Sequence, residues 1–141
     1  MRILALDLGD RWVGSAIADP LGISCRPYQT VELDQLRDFL KKILAAEGVS
    51  KVVVGYPKTF SGTESDQTKK IVSLKQELEQ EFAVVQGQAI EWILWDERLS
   101  SKRASAVQSG KHDEQSKRQS HSIAAAFLLQ TYLDHLAIFR S

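Results

Sequence analysis

Three carboxylates stand where hydrophobic runs stop. Asp7 closes the run that begins at Ile3, just before Leu8-Gly9-Asp10, and Asp96 and Glu97 close the run from Ala89 to Trp95, in front of Arg98. Carboxylates brought together in this way bind Mg²⁺. The ion keeps several waters and takes one or two carboxylates plus phosphate oxygens, an arrangement suited to phosphodiester hydrolysis. In sheets of parallel strands, ligands collect beyond the carboxyl ends, so acids far apart in sequence can converge there. Successive strand residues point to opposite faces, so Asp96 and Glu97 do not both face one ion. Acids at strand ends also mark where a chain meets water, and spacing alone leaves both readings open.

Two further stretches carry groups that suit phosphate. The loop from Pro57 to Glu64 offers backbone N–H groups and the hydroxyls of Thr59, Ser61 and Thr63, with Lys58 beside them, near a helix start. The same composition is that of an ordinary polar loop. Residues 101–120 hold Lys102, Arg103, Lys111, Lys117 and Arg118 against Asp113 and Glu114, leaving the stretch three charges positive in a chain whose 18 basic and 18 acidic residues otherwise cancel. Because bulk charge is zero, affinity for nucleic acid must come from such uneven placement. Arg11, next to the first acid, and Arg98, next to the last, extend the strip. Trp12, Trp92 and Trp95 fall in strand-like runs and read as core rather than as base-stacking platforms.

The elements that position these groups follow from periodicity. Ile3 to Leu8 reads as a strand buried on both faces. Trp12 to Ala18, the turn Asp19-Pro20-Leu21-Gly22 and a return strand from Gly22 to Val31 predict a hairpin. Leu36, Phe39, Leu40, Ile43 and Leu44 predict a helix capped by Asp34 and ended by Gly48. Lys51 to Tyr56 is a second buried strand. Ile71, Leu74, Leu78 and Phe82 mark a helix starting near Ser65 or Asp66, and Ala89 to Trp95 a third strand. Ser100 caps a short predicted helix to Ser109, and the polar, apolar-free stretch from Gly110 to Ser120 reads as mobile. The last helix spans Arg118 to Phe139, with Ala124-Ala125-Ala126 small enough for close packing on a sheet. A leading hairpin followed by alternating helices and strands predicts an α/β fold, a mixed sheet with helices on both faces.

Composition limits the classes. A chain of 141 residues with 43% apolar and 26% charged residues is neither disordered nor fibrous, and its length is that of one ordinary domain. No apolar run approaches a membrane span, and Met1-Arg2 leads straight into a strand, so a cytoplasmic location without membrane contact is expected. Cys25 stands alone, can form no internal disulfide and reads as a small core residue.

Three blocks, in order and with fitting spacing, make the sequence familiar. They are Asp7-Leu8-Gly9 followed by Val13-Gly14; Val54-Gly55-Tyr56-Pro57 with Ser61-Gly62-Thr63-Glu64; and Asp96-Glu97-Arg98-Leu99-Ser100. Together they resemble the YqgF family of small bacterial nucleases, and with the terminal helix the resemblance covers nearly the whole chain. It implies an RNase H-like fold shared with the RuvC resolvases: a central mixed five-stranded sheet in a single nuclease domain over residues 1–141. It further implies a metal-dependent nuclease, using Mg²⁺ or Mn²⁺, that matures the 5′ end of precursor 16S ribosomal RNA. An older assignment for the family is Holliday-junction resolution. Carried over by position, Asp7 and Glu97 are the metal ligands.

One position departs from the family pattern. An aspartate usually stands at the start of the last helix, before the small-residue run, where this chain reads Ser120-His121-Ser122-Ile123-Ala124. His121 is therefore the third candidate catalytic and metal-ligating residue. A neutral imidazole ligates metals but suits Mn²⁺, Zn²⁺ or Fe²⁺ better than Mg²⁺, and related resolvase-like enzymes sometimes carry histidine here. His121 also reads as a plain helix-terminal surface residue, while His112 and His135 lie beside no matched block.

Three other functions fit parts of the pattern. A junction resolvase needs a symmetric dimer to cut two strands, whereas the RNA-processing reading accommodates a monomer or a weak homodimer. Asp7-Leu8-Gly9-Asp10-Arg11 also resembles the phosphate loop of actin-like and sugar-kinase ATPases, which close a nucleotide between two such domains. Finally, a chain that has lost its third acid can serve ribosome assembly by binding RNA without cutting it.

Overall fold

The structure, a computed structural model, describes residues 2–56, 66–96 and 114–140. Strands β1 (Arg2–Leu8), β2 (Trp12–Ala18) and β3 (Cys25–Glu32) form an antiparallel meander; β4 (Val49–Tyr56) and β7 (Glu91–Asp96) then add in parallel to β1, giving the sheet order β3-β2-β1-β4-β7. Helix α1 (Leu36–Ala46) links β3 to β4, and helix α2 (Asp66–Glu81) lies between β4 and β7. A two-residue hairpin, β5 (Val84–Val85) with β6 (Gln88–Ala89), precedes β7, and helix α3 (Glu114–Arg140) ends the described chain. This is the mixed five-stranded sheet with a leading hairpin that the sequence predicts.

The period of two along each strand builds two cores. Leu4, Leu6 and Leu8 of β1, Val13 and Ile17 of β2, and Val52 and Val54 of β4 face Leu36, Leu40, Ile43 and Leu44 of α1 and Ile71 and Leu78 of α2. The alternate residues Ala5, Ala16, Ala18 and Val53 face Ala125, Leu128, Leu129, Tyr132 and Leu133 of α3. Helices therefore cover both faces. Branched side chains line the face that two helices share, and small ones the face that α3 alone approaches. Leu6, Leu40, Leu78 and Leu129 are fully buried, each contributing about 2 kcal/mol of burial.

The turns show how the ends are set. In the β2–β3 turn the Asp19 carboxylate accepts the N–H groups of Ile23 (2.7 Å) and Ser24 (3.2 Å), and Gly22 N–H donates to the Asp19 carbonyl (3.0 Å) with Gly22 at φ +71°. Leu33 to Gln35 form a 3₁₀ turn ahead of α1. Asp34 lies inside that turn, and α1 has no side-chain cap at its start, which corrects the expected Asp34 cap. Gly48, at φ +60°, does end α1.

Helix α3 begins at Glu114, within the stretch expected to be mobile, because Glu, Gln, Lys and Arg are good helix formers and extend a helix anchored further along. The predicted helix from Ser100 to Ser109 lies outside the described residues. Cys25 is half-buried and packs against the core beneath α3. Its thiol donates to the Ala126 carbonyl (3.2 Å), and burial, then Asp134 and Asp19, push its pKa up to about 11. Trp12 and Trp92 are buried, and Trp95 packs edge-on to Tyr132 and against His135, as core residues do.

Candidate active site

The carboxyl ends of the parallel strands β1, β4 and β7 lie side by side. Asp7, one residue from the end of β1, shares the alternation of Ala5 and so projects on the α3 side. Across β1/β2 its register partner is Gly14. The β1/β4 ladder brings Leu6 opposite Val54, so the next rung sets Asp7 level with Gly55, which pairs with Trp95 of β7. Gly55 follows Val53 on the α3 face. Strand β4 therefore contributes no side chain to the floor between Asp7 and the end of β7.

Helix α3 supplies the second group. Nδ1 of His121 stands 3.1 Å from Oδ2 of Asp7, two residues 114 positions apart in the chain. Side-chain exposure is 16% for Asp7 and 31% for His121, so both are sheltered yet reachable from solvent. At this distance the imidazole donates to the carboxylate when its proton sits on Nδ1. His121 lies in the second turn of α3, half-buried, with its ring against the acid at the end of β1.

The donor set fits a divalent cation. Two adjacent ligands on an octahedral ion, with bonds of about 2.1 Å, stand about 3.0 Å apart, close to the 3.1 Å observed between Asp7 and His121. Ligation by Nδ1 requires the imidazole proton to sit on Nε2. Among the described residues no cluster of three or more His, Cys, Asp or Glu side chains forms. Glu97, the other expected ligand, lies outside the described residues, and of Asp96 only the backbone, at the end of β7, is described.

Of the expected phosphate-binding residues, Arg11 is exposed, its guanidinium 5.0 Å from the centre of the Trp12 ring, and it lines a cavity with Asp10, Glu32 and Leu74. Lys117 and Arg118 lie in the first turns of α3, one turn before His121. Lys58, Thr59, Ser61, Thr63, Arg98, Lys102, Arg103 and Lys111 lie outside the described residues. The sequence reading gave no role to Gly9, Gly14 and Gly55, although all three sit in its motif blocks. For Gly9 and Gly14 the signal was the small residue itself, at places where backbone or helix comes close.

This architecture is the RNase H-like fold. The chain is similar to Thermus thermophilus RuvC in complex with a Holliday junction substrate, with a TM-score of 0.60 at 12% identity over 98% of this chain and 96% of that one. It is also similar to the fowlpox virus resolvase in complex with Holliday junction DNA, with a TM-score of 0.57 at 11% identity over 96% and 99%. The sequence then gives the family. Residues 1–135 match the family model of RuvX, described as Holliday junction resolvase. The chain is 38% identical to a Clostridium tetani protein named "Putative pre-16S rRNA nuclease" over 95% of this chain and 96% of that one, and 34% identical to a protein of the same name from Rubrobacter xylanophilus over 94% and 92%. The chain belongs to the RuvX family, the YqgF family of the motif reading, and is a nuclease, a hydrolase of phosphodiester bonds. No helix among the described residues is long and apolar enough to cross a membrane.

Proposed function

We propose that this nuclease is a divalent-metal-dependent enzyme of the cytoplasm that trims the 5′ end of precursor 16S ribosomal RNA during ribosome biogenesis, with Asp7, Glu97 and His121 as its site. The observation that carries the reading is the 3.1 Å meeting of His121 with Asp7, at the helix position where the family usually has an acid. Counting by two along β7, Ile93 and Trp95 belong to the α3 face. Glu97, which lies outside the described residues, is the second carboxylate of the proposal because it matches by position the acid of the family's Asp-Glu-Arg block.

Bound Mg²⁺ or Mn²⁺ supplies an activated water and charge stabilisation for the leaving oxygen. The chain does the rest. Asp7 and Glu97 would provide hard anionic oxygens, and His121 would provide a ring nitrogen beside Asp7. Arg11, Arg98, Lys102, Arg103, Lys111, Lys117 and Arg118 carry phosphate contacts along the backbone, and Lys58, Thr59, Ser61 and Thr63 position the strand. The test is incubation of the purified protein with a precursor 16S RNA fragment and with a four-way DNA junction, each with Mg²⁺, Mn²⁺ or EDTA. Metal-dependent cutting of the RNA near the mature 5′ end is expected. RNA that is bound but left intact under every condition overturns the catalytic reading in favour of an assembly factor.

The likeness to resolvases seen on junction DNA favours a second reading, cleavage of four-way junctions by a dimer. Symmetric nicking of the junction, with dimers forming on it, selects that alternative.

A further inference from the structure

We infer that Gly14, assisted by Gly9, is a positioning residue that sets where His121 stands against Asp7. The inference rests on the reading of Asp7 and His121 as the metal site. A Cβ placed on Gly14 falls 2.1 Å from both the carbonyl carbon and the carbonyl oxygen of His121, and 2.6 Å from the backbone nitrogen of Ser122. These are backbone atoms of a helix and cannot turn aside as a side chain does. Helix α3 thus touches the bare backbone of β2 at the residue whose register partner is Asp7. Farther along the same face of β2, Ala16 and Ala18 pack against α3 with methyl groups, so the residue without a side chain falls at the site itself. From the β1–β2 turn, a Cβ on Gly9 meets His121 Cε1 at 3.2 Å and the Trp12 carbonyl oxygen at 2.8 Å. The two glycines therefore bound the histidine from two sides, Gly14 at its backbone and Gly9 at its ring.

A methyl at position 14 forces the start of α3 outward, from 2.1 Å to the 3.4 Å at which ordinary contact begins, a shift of about 1.3 Å. Misplacement of a reacting group by about 1 Å can cost about 100-fold in rate. The experiment measures Mn²⁺ affinity by calorimetry and RNA cleavage in Gly14→Ala, with His121 kept or changed to Asp or to Glu, next to the same changes with Gly14 intact. With Gly14 intact, His121→Asp binds Mn²⁺ more tightly than His121→Glu. With Gly14→Ala the order reverses, because the longer side chain spans the added gap, and the variant retaining His121 loses about 100-fold in cleavage. A substitution that merely weakens the fold lowers both variants without reversing them, and an unreversed order overturns the inference.

If Gly14→Ala does not fold, Gly9→Ala takes its place, since its methyl presses on the ring. The Trp12 carbonyl contact persists with either side chain at position 121, so the loss of Mn²⁺ affinity is expected to be larger with His121 than with His121→Asp, and an equal loss overturns the inference. A failure of the underlying site reading looks different: Asp7→Asn then leaves Mn²⁺ affinity unchanged.

Discussion

Replacing His121 by Asp restores the acid usual in the family and exchanges an attraction for a repulsion. In the native chain the imidazole, with its proton on Nδ1, donates to the Asp7 carboxylate at 3.1 Å, a bond that contributes about 1 kcal/mol net. With His121→Asp two carboxylates face each other. Unit charges 4 Å apart repel by about 4 kcal/mol at an effective permittivity near 20. The partial exposure of both positions, 16% and 31%, lets solvent screen about half of this. Without divalent metal the variant is therefore destabilised by about 3 kcal/mol, which for a chain of this length lowers the melting temperature by about 10 °C. A divalent cation removes the repulsion, so Mg²⁺ or Mn²⁺ restores most of that loss. The assay is thermal unfolding of the native protein, His121→Asp and His121→Ala in EDTA, Mg²⁺ and Mn²⁺. A metal-induced rise is expected in the native protein, and a larger one in His121→Asp. Identical melting of native protein and His121→Asp in EDTA refutes the reasoning, because the two side chains then do not share one space.

Asp7→Asn and Glu97→Gln each remove a charged oxygen ligand and are expected to slow cleavage by about 1,000-fold, the equivalent of about 4 kcal/mol, with melting in EDTA little changed; steady-state cleavage next to Asp96→Asn, expected near native, checks this. Changing Lys111, Lys117 and Arg118 together to Ala is expected to weaken RNA binding and to flatten the slope of log affinity against log salt by about 2, measured by filter binding over a salt series. Burial raises the Cys25 thiol to about 11 from an ordinary 9.0, so the folded chain holds this proton where the unfolded chain has released it. The resulting stability is present below pH 9 and lost as pH rises from 9 to 11; denaturant midpoints of native protein and Cys25→Ala over that range are expected to converge.

Strand ends and helix faces were legible because burial writes itself as a period. The runs around Leu6, Val53 and Ile93 and the stripe Leu36-Leu40-Ile43 locate β1, β4, β7 and α1. The small hairpin β5–β6 was not legible. Its two-residue turn sets both Gln86 (φ +51°) and Gly87 (φ +79°) in the left-handed region, and glutamine, unlike Asn or Asp, does not announce that conformation. Asp34 misled because an acid ahead of an apolar stripe looks like a cap, whereas the chain enters α1 through a 3₁₀ turn with that acid inside it. In the site, Asp7 is readable from its place at the end of a buried run. His121 is not, since nothing local distinguishes it from His112 or His135; only alignment of the last helix with the family singled it out. Tertiary packing makes the pair, through a glycine on β2 whose importance shows only once α3 rests on it.

A histidine in the third position also changes what the substrate meets. Two carboxylates and one divalent cation sum to zero, whereas three carboxylates leave the occupied site with one negative charge. The scissile phosphodiester carries one negative charge itself. At about 4 Å and an effective permittivity near 20, that difference is worth about 4 kcal/mol against the approaching substrate, reduced by the solvent that reaches Asp7 and His121. Hard oxygen ligands hold Mg²⁺ better, so in the proposed site the imidazole would favour the substrate at the expense of the ion. With metal saturating, His121→Asp is therefore expected to raise KM for RNA by about 10-fold while lowering the Mg²⁺ concentration needed for half-maximal rate, so that the two constants move in opposite directions. Steady-state cleavage over a grid of RNA and Mg²⁺ concentrations measures both. A variant in which the two constants fall together shows that charge at this position does not act on the phosphate, and His121 then serves the metal alone.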